Sequence, residues 1–200
     1  MENIAVKSLS RENIRQYTVA LRKYTGVHEL KHFCVLWWLE NKFLPEIGFD
    51  LDVREHKDMV GHHGLTDHGN KLFILRDDVY EGAKNGVGRD RGTVIHEAGH
   101  CCFHTPDRIL YGRSFAEIPR YMDPEWQAKA FAGEFLVPVH LLTLGMSAQQ
   151  IAFEFGVSKA CAEFQLKAYE YKGFLKTTGS SNSNDDPVIG WIGKDKQSTV

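Results

Sequence analysis

The sequence predicts a helix-rich α+β domain, with a small antiparallel sheet just ahead of a helix bearing His96, Glu97 and His100 and a short helical segment at its C-terminal end. Three observations carry this expectation. Apolar residues recur at three- and four-residue steps in several long segments, and two short runs suit strands. The composition, 42% hydrophobic and 25% charged, suits a chain that buries a core without disulfides.

Ile14, Tyr17, Leu21 and Tyr24 recur at helical spacing between basic residues, so Ser10 to Tyr24 reads as an amphipathic helix. A second helix is expected from about His28 to Asn41, with Pro45 as its stop. Phe49, Leu51 and Val53 alternate with aspartates as in a half-buried strand, and Met59 and Val60 read as the start of another. After the turn-rich stretch from Gly61 to Asn70, the run Lys71 to Arg76 reads as a further strand.

The glycine-rich segment from Tyr80 to Gly92 reads as an irregular connection. It lacks both the Gly-Lys-Ser/Thr ending and the glycine spacing of a phosphate loop. Thr93 to His104 is then a helix capped by the Thr93 hydroxyl and ended by Pro106. Asp123 and Pro124 are an N-cap and a first-turn proline, opening a helix to about Leu136, before Pro138. From Ser147 to about Leu175 the pattern gives two or three short helices broken at Gly156. The expected organisation is a main domain over residues 1–146, a helical extension over 147–175 packed on it, and a flexible polar tail over 176–200.

A net charge of −2 supplies no general field for a nucleic-acid backbone, so direct nucleic-acid binding is not expected. Cys34, Cys101, Cys102 and Cys161 form no C-x-x-C pair and read as reduced core cysteines. The chain begins without an apolar signal segment and holds no stretch long enough to span a bilayer, so a cytoplasmic location and no membrane partner are expected.

The chemistry concentrates in His96-Glu97-Ala98-Gly99-His100. Two histidines four residues apart project from one helix face about 6 Å apart along the axis, a separation that one ion can bridge. Neutral nitrogen ligands beside a carboxylate, on a helix with apolar neighbours, suit Zn2+. A catalytic zinc needs a third protein ligand and an open position. Glu125 is the candidate, because it heads the inward stripe Ala128, Ala132 and Phe135. Its alternative is compensation of the helix dipole. Glu134, on another face, reads as solvated or N-terminally paired. His104 is about 12 Å along the axis from His96, too far to share an ion. It is therefore a candidate for supporting a ligand or a developing oxyanion, together with Tyr111 and Tyr121. His62, His63 and His68 read as a surface loop.

On the segments from Arg76 to His104, Asp123 to Pro138 and Met146 to Lys167, with the opening Lys7 to Asn13, the chain resembles the ImmA/IrrE family of metallo-endopeptidases. The resemblance implies a zincin-like core, His96, His100 and Glu125 as zinc ligands and Glu97 as general base. Gln127 stands where many members carry glutamate, Gly92 where many carry an aromatic, and Ala98 replaces the usual leucine. It also implies a protein substrate, a helix-turn-helix transcriptional repressor of phage, mobile-element or stress genes. An extended substrate is expected to pair with the edge of the Lys71 to Arg76 strand. The rival reading is a regulatory DNA- or protein-binding module with a structural or vestigial metal site, because residues 149–167 have helix-turn-helix spacing. Lys159 and Lys167 are offset there by Glu154 and Glu163, which favours packing over groove binding.

Overall fold

The computed structural model describes residues 5–110 and 118–171. A two-residue strand, β1 (Ala5–Val6), leads to α1 (Arg11–Tyr24), which starts where the Ser10 hydroxyl accepts from the Asn13 N–H. Not every arginine of α1 is solvated. Arg22 is fully buried, and its guanidinium donates to the carbonyls of Phe135, Val27, His28 and Leu30.

The helix expected over 28–41 forms later and runs further. It begins as α2 (Val35–Trp38), widens into a π turn (Leu39–Phe43) and ends as α3 (Leu44–Ile47). Pro45 lies inside it. A proline ring crowds the carbonyl four residues back, and the wide turn just ahead, where the Leu44 N–H reaches back to Leu39 O, makes room for it. Gly48, at φ 67°, closes the helix instead.

Three strands follow, β2 (Asp50–Arg54), β3 (Gly64–Asp67) and β4 (Leu72–Arg76), in the spatial order β2-β4-β3. β2 runs parallel to β4, pairing Asp50 with Leu72 through Arg54 with Arg76, while β3 is antiparallel, with Gly64 opposite Leu75. The sheet is therefore mixed, not antiparallel as expected. Met59 and Val60 start no strand, because a short 3-10 turn (His56–Asp58) buries Met59 as a plug. The third strand lies inside the stretch expected to be turns. β4 is central, with four of its five residues buried, so its edges are not free for a substrate. The outer edges belong to β2 and β3, and β3 is the one that packs against the helix bearing His96.

The glycine-rich segment is mostly helical, correcting the expected irregular connection: α4 (Asp77–Lys84) and α5 (Gly88–Phe103) are separated by only three residues. Burial overrides the local glycine signal. Arg91 is 1% exposed, with its guanidinium donating to the carbonyls of Phe33 and Gly156, and this fixes the first turns of α5. Thr93 is thus internal rather than a cap, its hydroxyl donating to Arg89 O.

A second small sheet joins β5 (Ile109–Leu110) to β1 in antiparallel pairing. α6 (Pro124–Leu136) opens as expected, with the Asp123 carboxylate accepting from the N–H groups of Glu125 and Trp126. α7 (Ala148–Phe155) starts with a Ser147–Gln150 capping box and ends at Gly156, and α8 (Lys159–Tyr171) follows. Tyr111 and the tail 176–200 lie outside the described residues. Among the described residues no helix is long and apolar enough to cross a membrane.

One core unites these elements. Trp38 stacks on Phe43 and tilts against Phe135, and Phe131 stacks on Phe135 and meets Phe103 edge-on, so aromatic rings link α2, α5 and α6. Ile151, Phe155 and Ala162 enter the same core from α7 and α8. Glu134 is not solvated. It is 1% exposed, and its carboxylate accepts from Arg11, Arg15 and the Tyr169 hydroxyl, tying α1 and α8 to α6. Cys34 departs from the core expectation, being exposed with its sulfur capping α2, whereas Cys101 is buried.

Candidate metal centre

Among the described residues the most extensive helix packing places α6 against α5. Gly99 permits it: a Cβ there would meet Ala128 Cα at 3.2 Å and Phe131 Cδ1 at 3.1 Å. The two backbones therefore approach closely one turn beyond Glu125. That approach brings a carboxylate from the start of α6 over the two histidines of α5.

The three expected ligands converge. His96 Nε2 and His100 Nε2 are 3.1 Å apart, and the Glu125 carboxylate lies 3.3 Å from the first and 3.4 Å from the second. At zinc bond lengths of about 2.0–2.1 Å, two ligands of a tetrahedron stand about 3.3 Å apart. The separation of the two imidazole nitrogens is that of one tetrahedral edge, and the Glu125 carboxylate approaches the pair with one oxygen toward each ring, Oε2 toward His96 and Oε1 toward His100. The chemistry of this group fits as well: with their ring hydrogens on Nδ1, the two imidazoles present Nε2 lone pairs, and two such nitrogens beside a carboxylate are a donor set that suits zinc. The Glu125 carboxyl is held far below the usual carboxylate range by its contacts with His100 and His96.

Glu97 lies beside this group and is 8% exposed. Burial pushes its carboxyl up to about 7, against a smaller opposing influence from His100. β3 covers it. A Cβ on Gly64 would come within 2.6 Å of Glu97 Cγ, and the Thr66 hydroxyl donates to Glu97 O at 3.2 Å. The glycine thus lets this face of β3 close onto the base.

The ligands open onto a cleft of about 840 Å³. Its walls include Leu65 and Thr66 of β3, Lys129 and Leu136 of α6, and Cys161 and Phe164 of α8. His62, His63 and His68 sit in the loop and turn residues flanking β3, as the surface-loop reading expects, and from there they also line the cleft. His68 Nε2 lies 3.3 Å from His100 O, and Arg89 donates to His63 Nε2 at 2.9 Å. Their place on the cleft went unrecognised because glycines and histidines around Leu65 mask the strand period.

His104 is 7% exposed and does not reach the ion position. Its Nδ1 lies 2.8 Å from His100 Nδ1 and its Nε2 3.1 Å from Gln127 Oε1. Burial, aided by His100, depresses its pKa to about 4. Tyr121 is half exposed and is not among the cleft-lining residues. Its carbonyl, not its phenol, takes part, accepting from Gln127 Nε2 at 2.8 Å. The contact between His100 and His104, one turn apart, was legible in the sequence; the role of Gln127 was not.

A second group, His28, Glu29 and His140, also gathers possible ligand atoms. There the imidazoles stack 4.2 Å apart at 29°, and His140 Nε2 contacts His28 O at 3.1 Å. Lone pairs of stacked rings run side by side instead of converging, so this group suits ring packing rather than an ion. In comparisons with known proteins the chain matches no family model, no curated relative and no solved structure.

Proposed function

We propose that this chain is a zinc-dependent endopeptidase with a zincin-like core, of the kind its resemblance to the ImmA/IrrE family implies. The observation that carries this reading is the triangle of His96, His100 and Glu125 donor atoms, beside a buried glutamate at the floor of an open cleft. A structural zinc site is closed by four protein ligands, whereas this one offers three among the described residues and faces a cleft.

His96, His100 and Glu125 would hold the ion, which when bound supplies the Lewis acidity that activates water and polarises a carbonyl oxygen. Glu97 accepts the proton of the attacking water and passes it to the leaving amine. A carboxyl near pH 7 suits both halves of that transfer, since it takes and releases a proton at little cost. The β3 edge is the surface on which an extended peptide would pair, fixing its register by main-chain hydrogen bonds beside the base.

The substrate class, a helix-turn-helix transcriptional repressor, comes from the family resemblance. A DNA-reading role for α7 and α8 is disfavoured by packing: Gln165 and Tyr169 of α8 are fully buried in the Glu134 network, and Cys161 and Phe164 face the cleft. The test is proteolysis of a repressor encoded beside this chain's gene, by the wild type, Glu97→Gln and Glu125→Ala. Expected are cleavage by the wild type, zinc without cleavage for Glu97→Gln, and loss of both for Glu125→Ala. Undiminished cleavage by Glu97→Gln would overturn the mechanism.

A further inference from the structure

The pair Gln127 and His104 does more than fill space behind the ligands. The Gln127 amide contacts Lys7 O at 3.0 Å, Tyr121 O at 2.8 Å and His104 Nε2 at 3.1 Å. Two of these partners are backbone carbonyls, which only accept. The amide NH2 must therefore face them, and its oxygen must face His104. The His104 Nε2 then carries a hydrogen and donates it to Gln127 Oε1.

The other ring nitrogen of His104 is set by elimination. A doubly protonated ring here would be a nearly buried cation with an amide oxygen as its partner on one side and another imidazole on the other, an expensive arrangement. His104 is thus neutral, and its Nδ1 holds a lone pair. Across 2.8 Å that lone pair meets His100 Nδ1, which must supply the hydrogen. With its hydrogen on Nδ1, His100 presents Nε2 to His96 and Glu125.

We propose that Gln127 and His104 are positioning residues: a directional hydrogen-bond relay, anchored on the carbonyls of Lys7 and Tyr121, that fixes His100 as the tautomer whose Nε2 is free to bind metal. Lys7 continues β1, with its own N–H donating to Arg108 O at 2.9 Å, and the Leu9 N–H donates to Tyr121 O at 2.9 Å. The N-terminal strand is therefore part of the relay's anchor. Where many members of the resembled family carry a glutamate, the amide is the better group for this relay. It offers one acceptor and two donors to one acceptor-seeking ring and two carbonyls, whereas a carboxylate would set its oxygens against the carbonyls.

This inference rests on reading His96, His100 and Glu125 as the ligands, and two measurements keep the two ideas apart. Imidazole nitrogen NMR of the metal-free full chain at alkaline pH is expected to show the hydrogen of His100 on Nδ1 and that of His104 on Nε2. Zinc affinity by chelator competition is expected to fall about 10- to 100-fold in Gln127→Leu, with a folded circular-dichroism spectrum. The same loss is expected in His104→Leu. His104→Asn, which places an oxygen acceptor where Nδ1 stood, should recover most of it. A His100 ring carrying its hydrogen on Nε2 in the wild type overturns the relay. So does a folded Gln127→Leu, or a His104→Leu matching His104→Asn, that binds zinc as the wild type does. Failure of the wild type to bind zinc would sink the ligand assignment, while the NMR result would still decide the relay.

Discussion

Replacing Glu134 with alanine should be among the most destabilising single changes in this chain. The carboxylate has no exposed side-chain surface, and it accepts from Arg11 Nε at 2.6 Å, Arg15 Nε at 2.9 Å and the Tyr169 hydroxyl at 2.9 Å. Its removal leaves two guanidinium groups, 12% and 9% exposed, without their shared counter-charge. Breaking a buried pair in this way costs about 3–5 kcal/mol. At roughly 2–4 °C per kcal/mol for a domain of this size, the melting temperature should fall by about 6–20 °C. Urea and thermal unfolding of Glu134→Ala measure it, with Glu12→Ala as the control. Glu12 also pairs with Arg15, but from a side chain that is 52% exposed, and should cost no more than about 1 kcal/mol. Equal effects from the two variants would refute the reasoning, because they would show that burial does not decide the strength of the pair.

Gly64→Ala is expected to keep zinc binding but lower kcat/KM about 10- to 100-fold, because the added Cβ, 2.6 Å from Glu97 Cγ, displaces the base. A zinc-loaded variant with wild-type kinetics would contradict the proposed closure of β3 on Glu97. Acid should destabilise the metal-free Glu97→Gln variant. Burial lowers the pKa of His28, His32, His63, His140 and His104, the last to about 4, from an ordinary 6.5. The unfolded chain then binds more protons below 6.5, so this stability is present above 6.5 and is lost as pH falls through it toward the folded values. Glu97, raised from 4.5 to about 7, contributes with the opposite sign between those values, which is why its glutamine variant is the cleaner subject. The urea midpoint should be lower at pH 5 than at pH 8, and a higher one would contradict the assignment.

What was legible in the sequence was local. His96, Glu97 and His100 sit on one helical turn, and Asp123-Pro124 marks the start of the helix that carries Glu125, but the approach of that helix to the histidines depends on long-range packing at Gly99. For Glu134 the solvated alternative fails and pairing with the N-terminal helix holds, but its partners Arg11 and Arg15 are 123 and 119 residues away, and nothing within its own helix reveals which they are. The sheet was misread for a related reason. β4 pairs with β2 in parallel across an intervening strand, a long-range choice that periodicity does not encode, and four residues of β3 hide among turn formers. Pro45 stops a helix in isolation, but here the π turn before it absorbs the clash.

The most direct test of the metal centre is anomalous diffraction at the zinc edge from crystals of the full chain grown with zinc. The account predicts a peak about 2 Å from His96 Nε2, His100 Nε2 and a Glu125 oxygen, with one side open to the cleft. A peak at His28 and His140 instead, or no peak between the two helices at full zinc occupancy elsewhere, would contradict it.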